Sequence, residues 1–367
     1  MTEKEKIYLR FVSCILNGKL GEADFLETMD WQGLYDFAKR HAVLGVVYYG
    51  ISHLEEGQPR PLPDLELKFY GSADRIRRNN IKLNMVAGKL TDNMKKAGFP
   101  SCILKGQGNA LMYPDPMIRQ SGDIDIWLDG SRGDIFKMVK RDVGKASNQY
   151  HHIDYPMVKG VSIEIHYIPS FMNHPLLNHR MQKYYNSVRN EQFCNMVELP
   201  DDSGTISRPT DELNRVFQLS HVFKHFIIGG VGLRQMIDYY YLLRRGITEE
   251  EKKACQKTLK SLHLLKFARA MMYVMQEALG LENQYLIVEP DYRLGKKLLS
   301  EVITAGNFGR SDTRFKYKGK NKGMKRLFYT FRPWRYALEF PEETLMRPLF
   351  LGWHQVWKKW QAWKYDR

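Results

Sequence analysis

The sequence predicts an α+β fold in which a small mixed sheet is flanked by helical regions on both sides. Three observations carry this expectation. Residues 1 to about 95, and again from about 209, repeat apolar side chains at three- and four-residue spacing, the period of a helix. Between them the texture changes to short apolar or alternating runs, SCILKG, DIDIWL and VSIEIHYI, set off by glycine, proline and aspartate. At 367 residues the chain is long enough for two or three cores. The expected organisation is an N-terminal helical region over 1–97, a sheet-containing core over 98–208, and a C-terminal helical region over 209–367 that carries a basic, aromatic segment.

Taken in order, MTEKEKIYLRFVSCILNG reads as a first helix: it is charged ahead of a short apolar run and has no small-residue cleavage site, unlike a signal peptide. WQGLYDFAKRHAVLGVVYYGI and LELKFYGSADRIRRNNIKLNMVAGKLTDNMKKAG follow as helical stretches, separated by the loop EEGQPRPLPD at 55–64. SCILKG is a short strand, QGNALMY a helix and PDP at 114–116 a turn; DIDIWL is a second strand, 133–145 a helix and 161–168 an alternating strand. The helical pattern resumes in RPTDELNRVFQLSHVFKHF, GLRQMIDYYYLLRRG and EEEKKACQKTLKSLHLLKFARAMMYVMQEALG. PEETLMRPLFLGWHQVWKKWQAWKYDR closes as a tryptophan-rich helix behind a proline start.

Composition narrows the function. Four cysteines, far apart and never in a CxxC pair, argue against a zinc knuckle or a disulfide framework. A cytoplasmic location is expected, and no apolar run reaches transmembrane length. The formal charge of +15 favours anionic partners: nucleotide, nucleic acid or acidic lipid. Basic residues and aromatics interleave in 309–336, either as a phosphate-tracking, base-stacking surface or as a solvated loop leading into a docking helix.

The chemistry concentrates in two strands. Alternation places Asp123 and Asp125 on one face of DIDIWL, and Ser162, Glu164 and His166 on one face of VSIEIHYI. If the strands neighbour each other, three carboxylates meet at one edge and form a hard-oxygen site suited to Mg²⁺, with Mn²⁺ as a substitute. A magnesium site on a basic protein points to phosphoryl or nucleotidyl transfer. Upstream, Lys105 is a candidate phosphate partner, and Gly106 with Gly108 frees backbone amides to approach an anion. A Walker loop is excluded, because no GK[ST] follows.

This order of elements resembles the DNA polymerase β-type nucleotidyltransferase superfamily. More narrowly, ILKGQGNALMYPDPMIRQSGDIDIWL, IEIHY and HVFKHFIIGGVGLRQMIDYYYLL resemble an uncharacterised bacterial nucleotidyltransferase family, over about residues 30 to 260. The resemblance implies a nucleotidyltransferase core, metal ligation by Asp123 and Asp125, and a third acid, Glu164, that helps activate an acceptor hydroxyl. The superfamily's usual glycine-serine pair is replaced here by Lys105 and Gly106, so the hold on a triphosphate differs. The implied substrates are an NTP and an unidentified hydroxyl acceptor, with an anionic molecule or an RNA end among the candidates. A non-catalytic binding module on the same fold and a toxin-like transferase acting on tRNA are the rival readings.

Individual residues carry alternatives. Asp123 and Asp125 read otherwise as exposed strand acids. Arg119 is a phosphate clamp or a counter-charge to Asp123. Lys224, His225, Arg234 and Asp238 form a helical wall able to close over a nucleotide, or Asp238 simply holds Arg234. His221 and His225 have the i,i+4 spacing of metal ligands, against the plainer reading of one buried and one surface-facing histidine. Tyr239 to Tyr241 and Trp353, Trp357, Trp360 and Trp363 recur at helical spacing and are expected in the core.

Overall fold

The computed structural model describes residues 1–144, 147–309, 312, 314, 317–319 and 321–365. Part of the basic segment, Arg310, Ser311, Thr313, Phe315, Lys316 and Lys320, therefore lies outside the described residues.

Helix α1 (Glu3–Asn17) opens on a capping box in which the Thr2 hydroxyl accepts from the Glu5 N–H and the Glu5 carboxylate accepts from the Thr2 N–H. The stretch read as one helix over 31–51 is two, α2 (Trp31–His41) and α3 (Leu44–Ser52), divided at Ala42, whose φ of 57° is left-handed. The break has a packing reason. Helix α2 is amphipathic, whereas α3 buries Leu44, Val46, Val47 and Ile51 around most of its circumference, and a straight continuation cannot bury both. Helix α4 (Pro63–Lys96), started by Pro63, is the spine of the molecule. Phe69, near its beginning, enters the helical core; Leu83, Val86, Ala87, Leu90 and Met94, further along, cover the sheet.

The sheet-containing unit follows: β1 (Ser101–Ile103), the single turn α5 (Gln107–Ala110), β2 (Ile124–Leu128), α6 (Arg132–Val143), β3 (His152–Val158) and β4 (Val161–His166). The sheet runs β1-β2-β4-β3, antiparallel at both ends and parallel in the middle, where Ile124 pairs with Ile163, Asp125 with Glu164 and Ile126 with Ile165. Strand β3 escapes the sequence reading because HIDYPMV contains Pro156; the strand tolerates it as an edge strand whose pairing shifts between Tyr155 and Val158.

Helices α7 (Pro175–Ser187) and α8 (Arg189–Cys194) lead into a hairpin, β5 (Met196–Glu198) and β6 (Thr205–Ser207). The helical region then comprises α9 (Asp211–Ile228), α10 (Leu233–Arg244), α11 (Glu249–Ser261), α12 (Leu265–Leu279), α13 (Tyr292–Ala305), α14 (Lys322–Phe331) and α15 (Pro341–Tyr365). The run read as one helix over 249–280 divides at His263, again with a left-handed φ of 56°. Helices from both ends of the chain share one core. The Asn17 amide donates to the Leu279 carbonyl at 2.8 Å and its oxygen accepts from the Tyr240 hydroxyl at 2.9 Å, tying α1 to α10 and α12. Among the described residues no helix is long and apolar enough to cross a membrane.

Tyr239 and Tyr240 are fully buried, in line with their helical spacing. The tryptophans correct it: Trp353, Trp360 and Trp363 remain 47%, 48% and 57% exposed. Helix α15 meets the sheet unit through Phe350, Trp353 and Trp357, which gather around Tyr150 with ring centroids 5.5 to 5.8 Å away. Spacing along a helix defines a stripe, but burial needs a partner wide enough to cover it, and Tyr150 with Phe171 is narrow.

The close approach of α4 to the β5–β6 turn rests on Gly88, where an added Cβ would stand 2.0 Å from the Ser203 carbonyl oxygen. Both partners are backbone, so neither can rotate away. Gly88→Ala is expected to destabilise the fold by about 1–3 kcal/mol, with helix content unchanged by circular dichroism. A urea midpoint equal to that of the parent would show that this contact is not needed.

Candidate active site

The site is built where β1 ends and β2 and β4 lie side by side. After Ile103 the chain turns at Gly106, whose φ of 55° with ψ of −112° is accessible to glycine and strained for other residues. This turn carries Lys105 under the end of β2. Helix α5 is only one turn, so it contributes little summed dipole, and Lys105 itself brings the positive charge.

Parallel pairing of Asp125 with Glu164 puts their side chains on the same sheet face, with Asp123 and His166 two residues away along their own chains. Asp123, Asp125 and Glu164 all line a cavity of about 330 Å³, which Lys105 and Gly106 also border. The opposite wall comes from α9 and α10 and includes His221, Lys224, His225, Arg234 and Asp238. Arg119 and Phe308 line it as well.

The acids are not equivalent. Asp125 is buried, with Lys105 Nζ 2.9 Å from one oxygen and His166 Nε2 3.0 Å from the other. Burial alone would raise its pKa, but the Lys105 charge and the His166 hydrogen bond hold it well below the usual carboxylate range. Asp123 goes the other way: its pKa is raised, first by the charge of Asp125 and then by burial. Glu164 is lowered, chiefly by its polar contact with His166, whose Nε2 lies 3.6 Å away. His166 is raised because these two acceptors outweigh the burial that would lower it. The edge therefore holds more negative charge than Lys105 and His166 comfortably balance.

The helical wall is a crowd of cations and neutral rings. The Lys224 ammonium nitrogen lies 3.4 Å from the centroid of the Phe171 ring, and burial, then the nearby Arg347, pushes its pKa down to about 7. Phe171 is in turn stacked on Phe350 of α15 at 4.9 Å. Arg234 donates to the Gln120 carbonyl at 2.7 Å. His221 accepts from Lys105 at 3.4 Å, and burial keeps its pKa well below the ordinary value; His225 is pushed down to about 3, first by burial and then by Lys105. These histidines correct the expectation of one buried and one surface-facing ring, since both face the cavity and their rings lie 4.4 Å apart.

Arg119 and Asp238 also differ from expectation. Arg119 is matched to Asp238, not to Asp123: its Nε and Nη2 each donate to the Asp238 carboxylate at 2.7 Å. Asp238 thereby holds Arg119 and not Arg234, and also accepts from the Tyr113 hydroxyl at 2.7 Å. The pair lines the cavity with its hydrogen-bonding capacity largely spent internally. Sequence reasoning assigned no role to His151, His152 and His166. His166 was legible as a residue on the Glu164 face of β4; His151 and His152 belong with β3, which the proline concealed.

Comparison with known proteins adds a family. A model described as an uncharacterised nucleotidyltransferase matches residues 27–280. No curated protein matches the chain. Among solved structures, the chain is similar to an antigenic nucleotidyltransferase-like protein from Paracoccidioides brasiliensis, with 12% identity and a TM-score of 0.34, over 55% of this chain and 93% of the other.

The buried pair makes a stability prediction. Asp238→Asn leaves the Arg119 charge buried without its counter-ion, and a loss of about 3–5 kcal/mol is expected in urea denaturation. The pKa of Asp238 is lowered in the fold, by the Arg119 charge against the opposing effect of burial, so its stabilisation is present above the ordinary carboxylate range and is lost as pH falls through the lowered value. An Asp238→Asn variant as stable as the parent, or stability flat with acidification in both, would remove this pair from the fold's foundations.

Proposed function

Because the chain belongs to the uncharacterised nucleotidyltransferase family over residues 27–280, which supports nucleotidyl transfer in general, we propose that it moves a nucleoside monophosphate from an NTP to a hydroxyl acceptor, with Mg²⁺ and release of pyrophosphate. The observation that carries this reading is the parallel register of Asp125 with Glu164, which brings them and Asp123 to one cavity facing Lys224 and Arg234. The donor set fits the ion. Three carboxylates supply hard oxygens, and the raised pKa of Asp123 beside Asp125 marks a place where a cation relieves repulsion. Mn²⁺ is accommodated by the same donors. When bound, such an ion neutralises phosphate oxygens and aligns attacking and leaving groups.

The chain's own residues have distinct parts in this proposal. Asp123 and Asp125 hold the ion. Glu164, kept ionised by His166, accepts the proton of the acceptor hydroxyl as its oxygen attacks the α-phosphorus and the bond to the bridging oxygen breaks. Lys224 and Arg234 meet the β- and γ-phosphates, and Lys105 offers a further phosphate contact in competition with its ion pair to Asp125. His225 lines the nucleotide's side of the cavity as a neutral ring. Arg119 and Asp238 support that wall through each other. The net charge of +15 favours an anionic acceptor, RNA included.

Labelled-NTP transfer into cell extract tests the reaction. Asp123→Asn and Asp125→Asn are each expected to abolish transfer, whereas Glu164→Gln should still bind Mg-NTP and lose about 10² to 10⁴ in turnover. Lys105→Ala should raise KM before it lowers kcat. Asp129→Asn is the control, because Asp129 is engaged with Arg189 at 2.8 Å on another part of the fold. Metal-independent NTP binding with no labelled product would favour the non-catalytic module instead.

Proton uptake offers a second test. The Lys224 amine faces Arg347 and Glu343 of α15 together with Lys105 and Glu164, and its pKa of about 7 leaves it mostly neutral at about pH 8. Contact with a phosphate favours the charged form, so nucleotide binding there should take up most of one proton, read by titration calorimetry in buffers of different ionisation enthalpy. Lys224→Met should bind without uptake; an unchanged uptake would place the phosphates away from Lys224.

A further inference from the structure

Beside the carboxylate edge lies a group of donors of a different kind. His152 Nδ1 is 3.3 Å from Glu164 Oε2, and His166 Nε2 is 3.6 Å from the same oxygen. With bonds of about 2.1 Å, tetrahedral or octahedral ligand edges are about 3.0 to 3.4 Å, so the first separation is that of neighbouring ligands around one ion and the second is slightly wider. One ligand atom from each of His152, Glu164 and His166 lies within 4.8 Å of the others.

The far side of each ring supplies an independent observation. His166 Nδ1 is 3.3 Å from the Ile168 carbonyl oxygen, and His152 Nε2 is 3.4 Å from an Asp154 carboxylate oxygen. Metal-ligating histidines characteristically donate their other N–H to a backbone carbonyl or a carboxylate, which fixes the tautomer and turns the free nitrogen toward the ion. Here the His166 ring has such an outer partner and the His152 ring has the Asp154 carboxylate beside it, while the inner nitrogens lie near Glu164, His166 Nε2 being shared with Asp125 Oδ1 at 3.0 Å. His151 adds a neighbour, its Nε2 being 3.1 Å from His152 Nδ1.

We propose that His152, Glu164 and His166 form a divalent transition-metal site of the zinc class, adjoining the hard-oxygen edge of Asp123 and Asp125. Two imidazoles and one carboxylate make a mixed nitrogen and oxygen set that favours Zn²⁺ or Co²⁺ over Mg²⁺, which prefers oxygen and retains its water. The register of β4 with β3 assembles the set: β3 contributes His152 opposite His166 in the hairpin, and β4 contributes Glu164 and His166 two residues apart. This site goes beyond nucleotidyl transfer and does not depend on it. Its occupancy engages Glu164, the carboxylate that the transfer reading assigns to the acceptor hydroxyl, so a zinc-class ion there would restrain turnover.

The test uses the full chain, stripped of metal and free of nucleotide, so its outcome is separate from that of the transfer assay. Titration with Co²⁺ should give one equivalent with visible ligand-field absorption, displaced by Zn²⁺ and retained in excess Mg²⁺. His152→Gln should weaken binding by at least about 100-fold. Asp154→Asn, at a side chain 53% exposed, should weaken it about 10-fold without touching a ligand atom. Zn²⁺ should also shift the ring ¹⁵N signals of His152 Nδ1 and His166 Nε2 in the parent protein, which needs no variant to fold. Absence of stoichiometric Co²⁺ binding, ready displacement by Mg²⁺, unchanged ring signals, or equal affinity in His152→Gln would overturn the proposal.

Discussion

The buried bidentate pair between Arg119 and Asp238 is the constraint on which the site depends. Taking both charges out of water is costly, and the cost is offset only because the guanidinium fork and the carboxylate match and other donors complete the shell. Tyr113 and Asn109 donate to Asp238, at 2.7 and 3.4 Å, and the Asn80 amide of α4 donates to the carbonyls of Met117 and Arg119, both at 2.8 Å. The segment entering β2 is thus clamped between α4 and α10. Because Asp123 and Asp125 follow within six residues, the clamp sets where the acidic edge lies relative to the helical wall.

Charge is distributed around that edge in opposed layers. Lys105 and His166 engage the two oxygens of Asp125, leaving Asp123 to bear the repulsion. Across the cavity, Lys224 lies on Phe171 with its pKa pushed down by burial, while His221 and His225 stay neutral. An anion entering between these layers meets groups whose charge its own presence favours, and a cation at the edge meets ionised oxygens. Electrostatic preparation of this kind suits phosphate chemistry better than a permanently charged cleft, which would repel itself and weaken the fold.

The C-terminal helices take part in this arrangement from outside the matched family region. Phe308 lines the cavity, and α15 supports Phe171 through Phe350. Glu343 at the start of α15 accepts from the backbone N–H groups of Asn173 and His174, at 2.8 and 3.1 Å, and anchors that helix to the segment after β4. The position of Lys224 over the cavity therefore depends on an element far along the chain.

The sequence by itself determined what periodicity and local chemistry can encode: the helical regions, the strand character of DIDIWL and VSIEIHYI, and the faces shared by Asp123 with Asp125 and by Glu164 with His166. A period of two states which side chains face together, whichever strand lies alongside. It carries no information about neighbours. The pairing of β2 with β4, the edge strand that tolerates Pro156, the choice of Asp238 for Arg119 and the union of His152 with His166 all join residues distant along the chain, and only tertiary packing decided them. The same reason explains the helix breaks at Ala42 and His263 and the exposed tryptophans of α15. Local pattern specifies an apolar stripe, but whether a helix bends to bury it, or leaves it in water, depends on the surface it meets.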